Sequence, residues 1–150
     1  MAKGIEELRS QLGAIEPDED MYADLGPSDV PLLETLLDDD EAWMATRAVY
    51  ALTRIGTPQA LEVLQGVAAH ERGEVRVALA VVAGRRIPAA TADPILTRLL
   101  DDGDVGVRKF AIKSVSDEHG QEVKDRLAAI SASDDVLRGL ARSQVEHMGN

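Results

Sequence analysis

The chain holds 150 residues, 45% of them apolar, with no cysteine; that length suits one domain or one short repeat array, without disulfides, thiolate zinc sites or cysteine nucleophiles. Its 27 acidic against 16 basic side chains give a net charge of −11. Such a balance argues against a nucleic-acid backbone or an anionic membrane surface as the main partner, because both need a positive field.

The first expected element is an amphipathic helix carrying Ile5, Leu8, Leu12 and Ile15 at helical spacing. Nothing near the start has the apolar core of a secretory signal. The longest apolar run, Val77 to Gly84, is eight residues, far short of the roughly 18 a membrane helix needs, so a cytoplasmic protein is expected. Pro17 to Pro27 reads as an acidic connector, which makes residues 1–28 a capping helix and its tether. Acidity is concentrated early: residues 1–60 carry 13 acids and four basic groups, residues 61–150 carry 14 and 12. Asp18, Asp20, Asp38, Asp39, Asp40 and Glu41 form the acidic surface this predicts, the kind of surface that meets a basic protein.

From residue 29 onward a repeat takes over. Val107-Arg108-x-x-Ala111-x-x-x-Val115 aligns without gaps on Leu137-Arg138-x-x-Ala141-x-x-x-Val145, and Val75-Arg76 and Met44-Ala45 open two further copies. The leading residues 44, 75, 107 and 137 are 31, 32 and 30 apart. Each unit reads as two helices, because positions 0, +4 and +8 fall within about 80° of one another on a helix. First helices show their own stripes: Leu32, Leu33, Leu36 and Leu37; Leu61, Leu64 and Val67; Ile95, Leu96, Leu99 and Leu100; Val123, Leu127 and Ile130. Gly56-Thr57-Pro58, Ile87-Pro88, Asp93-Pro94 and Gly120 are expected to break the chain between helices. Asp102 or Asp104, and Asp134 or Asp135, are N-cap candidates for the last two second helices. The expected array covers residues 29–150, with units near 29–56, 57–88, 91–117 and 119–147.

The Val-Arg-x-x-Ala core, the preceding Leu99-Leu100-Asp101-Asp102-Gly103-Asp104, and Arg54-Ile55-Gly56-Thr57-Pro58 together resemble HEAT-like repeats, in particular the short ones named after phycobilisome lyases. The resemblance implies an all-α fold, a right-handed α-solenoid of about four two-helix repeats closed by the N-terminal helix. It also implies that the arginines at the repeated position, Arg76, Arg108 and Arg138, pair with acidic turn residues of neighbouring repeats as an internal ladder. Ala45 stands in the arginine place of the first unit, so the first rung should be missing.

Function is expected on the outward row of second helices. Positions +2 and +6 select Thr46 and Tyr50, Val77 and Val81, then Lys109 and Lys113. The segment Glu74 to Val82 is apolar nearly all round, as a helix at an interface or buried on several sides would be. Tyr50, Val77 and Val81 are therefore expected to form an exposed apolar patch bordered by the two lysines, for a protein partner or a second copy of the chain. Trp43, at a turn between acidic residues, is either a binding anchor or a staple over the helix start. No cofactor or metal is expected: His70, His119 and His147 lie far apart, and the Asp-rich turns place their glycines wrongly for a calcium loop. The serines Ser114, Ser131 and Ser133 lack an activating motif. The leading expectation is a non-enzymatic scaffold or adaptor that binds protein, with no nucleic acid or membrane. The alternatives are an acidic inhibitor or immunity-type protein that blocks a basic enzyme such as a nuclease, and a lyase-like or chromophore-attachment role.

Overall fold

All regular structure is helical in the computed structural model, which describes residues 4–13, 22–133 and 135–148. The helices are α1 (Ile5–Leu12), α2 (Val30–Leu36), α3 (Ala42–Ile55), α4 (Pro58–Val67), α5 (Gly73–Ala83), α6 (Ala89–Leu99), α7 (Val105–Ser114), α8 (Gln121–Ser131) and α9 (Arg138–Met148). They stack in two rows. The first helices α2, α4, α6 and α8 touch in sequence, the second helices α3, α5, α7 and α9 do the same, and α1 lies against α2 and α3. The core is the seam between the rows. Met44, Ala48 and Leu52, then Val75, Leu79 and Ala83, then Val107, Ala111 and Val115 are all buried there. In α9 the stripe fades. Ala141 is buried, Leu137 is half-buried and Val145 is exposed, because no later hairpin covers this face among the described residues.

Local chemistry sets the helix ends. Gly56 closes α3 at φ 64°, a left-handed conformation that a side chain resists, and its N–H donates to the Leu52 carbonyl. The next residue, Thr57, caps α4 by accepting the Ala60 N–H at 3.3 Å, with Pro58 already fixed in helical φ. Asp104 caps α7, accepting the Gly106 and Val107 N–H groups at 2.7 and 3.1 Å. Asp93-Pro94, by contrast, does not break the chain: α6 runs straight through it. Proline inside a helix costs about 3 kcal/mol. The neighbouring stripe of Ala92, Ile95, Leu96 and Leu99, all buried, offsets that cost.

The all-round apolar character of α5 follows from its place. It touches α3, α4, α6 and α7, and its packing against α7 is the most extensive between any two helices. Gly84 permits this approach, since a Cβ there would lie 2.2 Å from the Ser114 carbonyl oxygen.

Candidate functional site

The second-helix row carries the residues singled out for binding, but it is less open than the sequence suggests. Thr46, Tyr50, Val77 and Val81 are half-buried, and Lys109 and Lys113 are exposed. The apolar side chains expected to be exposed are thus each half-covered. A helical wheel gives the direction of a side chain but not how closely the next helix approaches, and here α7 crowds α5. Val77 packs against the core, and Thr46 Oγ1 donates back to the Trp43 carbonyl at 2.9 Å. Both lysine ammonium groups lie over the Phe110 ring, 5.7 and 5.6 Å from its centre. Burial pushes the Tyr50 phenol above its usual pKa, so it remains a neutral O–H donor. Tyr22, Tyr50, Arg54, Val82 and Arg86 surround a small cleft of about 180 Å³.

Trp43 is 45% exposed. The Arg47 guanidinium sits 5.0 Å above its ring and also donates to the Leu12 carbonyl at the end of α1. Together with the Arg9–Asp39 ion pair, this fastens the N-terminal helix onto α3. Trp43 therefore has a structural place beside α1 while remaining partly exposed.

The turns between helices hold the arginines. The Arg76 Nε and Nη2 donate to both oxygens of Asp102 at 2.8 and 3.1 Å, and Nη1 donates to the His70 carbonyl at 2.7 Å. One repeat further on, Arg108 donates to Asp135 at 3.1 Å and to the Asp102 carbonyl at 3.0 Å. Arg138 lies exposed at the start of α9. Burial of Asp102 pushes its carboxyl up. The Arg76 hydrogen bonds, the Asp104 N–H and the nearby Arg76 and Arg108 charges outweigh this and hold it below the usual carboxylate range. In the first unit Ala45 is fully buried and a different pair of contacts joins the turns. His70 Nε2 donates to Asp38 at 3.0 Å while its Nδ1 accepts the Arg72 N–H, and the Arg72 side chain donates to the Leu37 carbonyl at 3.0 Å. Sequence reasoning missed His70 and Arg72, since partners more than 30 residues apart leave no local pattern.

The acidic surface is partly spent on these contacts. Asp38 and Asp39 pair with His70 and Arg9, and Asp40 and Glu41 are exposed. Asp18 and Asp20 lie outside the described residues, as do Ile15 and Asp134. His119 is buried, its Nδ1 accepting the Ser116 N–H at 2.9 Å. Among the described residues no three His, Asp or Glu side chains converge as a metal site.

A larger polar groove of about 910 Å³ runs between α6 and α8. Arg126 pairs there with Asp101, and Asp93 Oδ2 accepts the Gly120 N–H at 3.0 Å, tying the start of α8 to α6. Asp93 Oδ1 is buried in the same place without a hydrogen-bond partner among the described residues.

No family model matches the chain, and no curated protein matches it. A solved structure does, that of the complex of CpcE and CpcF of phycocyanin lyase from Nostoc sp. PCC7120. The match has a TM-score of 0.69 at 23% identity and covers 97% of this chain and 98% of that one. The fold is a helical solenoid. At this identity the likeness speaks for architecture, and it corrects one expectation. A non-enzymatic protein was expected, because no motif for a metal, a cofactor or an activated nucleophile was found, yet the matching chain belongs to a lyase complex. This architecture is therefore no ground for excluding enzymatic activity. No helix among the described residues is long and apolar enough to cross a membrane.

Proposed function

We propose that the chain is a protein-binding subunit that engages its partner through the second-helix row. Residues 1–28 serve as its cap and tether, and residues 29–150 as the repeat array. The observation that carries this reading is that Tyr50, Val77 and Val81 are left half-buried on second helices whose row also carries exposed Trp43, Lys109 and Lys113. Apolar side chains left part-way in water within a polar rim match the anatomy of a protein interface. The solved structure of like fold is itself a complex of two different chains, which supports an assembly role. The acidic-inhibitor alternative draws less support, since Asp38 and Asp39 are engaged within the chain.

The test compares proteins retained on immobilised wild type with those retained on the double variant Val77→Lys, Val81→Lys. The variant is expected to lose the retained partner while keeping its helical circular dichroism. Equal retention by both would refute the reading. A second reading follows from the complex named above: a subunit of a two-chain lyase assembly. Incubating the chain with phycocyanin, alone and with a co-purified helical-repeat partner, and following visible absorbance tests it. An unchanged spectrum in every combination counts against it.

A further inference from the structure

Charge is segregated within this acidic chain. Residues 42–55, 73–86, 105–114 and 138–148 cover the second helices and the turn after α5, and they hold ten of the 16 Lys and Arg. The same stretches hold two of the 27 Asp and Glu, Glu74 and Glu146. Helices α3 and α7 contain no acid at all. Arg76 and Arg108 are spent on the turn carboxylates. Arg85, Lys109 and Lys113 are exposed, and among the described residues none of them pairs with a carboxylate. Arg54 in the last turn of α3 and Arg86 in the turn after α5 both line the Tyr50 cleft.

We infer that the second-helix row is a docking face for a short acidic protein segment carrying an aliphatic anchor. Its carboxylates meet Arg85, Lys109 and Lys113, and its apolar side chain lies against Tyr50, Val77 and Val81. This rests on the protein-binding reading above and adds the chemistry of the partner. Complementary charge fixes register and raises the rate of encounter, while the apolar contact supplies affinity. The positive zone is also bounded. Asp39, Asp40 and Glu41 precede α3, and Asp101, Asp102 and Asp104 precede α7. A long polyanion crossing the row runs onto these carboxylates, whereas a segment of a few residues stays on the basic side.

The experiment uses the full chain and a fluorescent peptide of about a dozen residues built from repeating Asp-Glu-Leu, followed by anisotropy at low and physiological salt. An uncharged Asn-Gln-Leu peptide and an oligothymidylate of equal length are compared with it. The acidic peptide is expected to bind, to weaken at least about tenfold across that salt range, and to bind tighter than either control. The triple variant Arg85→Glu, Lys109→Glu, Lys113→Glu changes exposed side chains, and circular dichroism verifies its fold. It should weaken the peptide at least about tenfold. The inference is overturned by absent peptide binding, by equal affinity for the uncharged peptide, by tighter oligothymidylate binding, or by indifference to charge reversal. It is also overturned if sedimentation shows a dimer that the peptide cannot dissociate, since a second copy then occupies the face. Should partner retention depend on Val77 and Val81 but not on the three charges, the protein-binding reading stands and the acidic segment falls.

Discussion

Replacing Gly84 with alanine probes the closest approach in the second-helix row. The residue sits at φ −85°, ψ −10°, an ordinary right-handed conformation. Backbone entropy alone therefore favours alanine by about 0.4–1 kcal/mol. Space says the opposite. The new Cβ would lie 2.2 Å from the Ser114 oxygen and 2.8 Å from its carbonyl carbon and Cα. These obstacles are main chain, and they are anchored, since Ser114 Oγ donates to the Ala80 carbonyl and Val115 beside it is buried. Overpacking a fixed contact costs about 1–3 kcal/mol, and this case belongs at the upper end. The net expectation is a loss of about 2 kcal/mol, or a fall in Tm of roughly 4–8 °C at this chain length. Gly66 supplies the control. It lies inside α4, exposed, with nothing within 4 Å of its would-be Cβ, so Gly66→Ala should stabilise by about 0.5–1 kcal/mol. Thermal and urea melts followed by circular dichroism read both variants. If Gly84→Ala is as stable as the parent while Gly66→Ala gains, α5 and α7 do not meet as closely as described.

Three further outcomes follow from the turns and the cap. Asp102→Asn should cost about 2 kcal/mol at neutral pH, because charged hydrogen bonds to Arg76 are lost. The folded Asp102 carboxyl titrates below its ordinary value, so its stabilisation is complete above the unfolded carboxylate range and disappears as pH falls through the lower folded value. Urea midpoints measured downward from about pH 4 should drop more steeply for the parent than for Asp102→Asn. Asp93→Ala should cost about 1 kcal/mol through loss of the acceptor for the Gly120 N–H. Asp93→Asn keeps an acceptor there and replaces the partnerless Oδ1 with an amide, so its melt should lie close to the parent's. Trp43 is the one tryptophan of the chain. Leu8→Ala, which truncates a buried anchor of α1, should shift Trp43 emission to the red and leave the far-UV spectrum nearly unchanged.

The array was legible because its signal is periodic. Stripes at 44, 75 and 107 recur wherever a hairpin must bury one face, and no tertiary information is needed to see them. Roles within the turns were not legible. Asp102 and Asp104 are equivalent candidates by spacing, yet Asp104 caps α7 and Asp102 takes Arg76, a division set by the distance to the neighbouring hairpin. Ala45 marks a missing arginine, but the contacts joining those turns come from His70 and Arg72, which no repeated position shares. Pro94 shows a local rule losing to packing, because the stripe on both sides of it is buried deeply enough to carry the helix through. The depth of Val77 and Val81 was hidden for a related reason. It depends on Gly84, whose missing side chain lets α7 close over α5.

The charge pattern of the second-helix row has the same origin as its stability. A helix favours carboxylates at its N-terminus, where unpaired N–H groups point outward, and cations near its C-terminus. In α3 and α7 this places Asp39 to Glu41 and Asp101 to Asp104 at one end and Arg54 and Lys113 at the other, with Arg85 and Arg86 closing α5. For one helix such a preference is worth about 1 kcal/mol and creates no surface. Within the stacked row, α3 and α7 repeat this order, acids before the helix and a cation in its last turn, whereas α9 departs from it, with Arg138 and Arg142 early and Glu146 late. For the acidic segment inferred above, this order favours the C-terminal ends of α3 and α7 over their N-terminal ends.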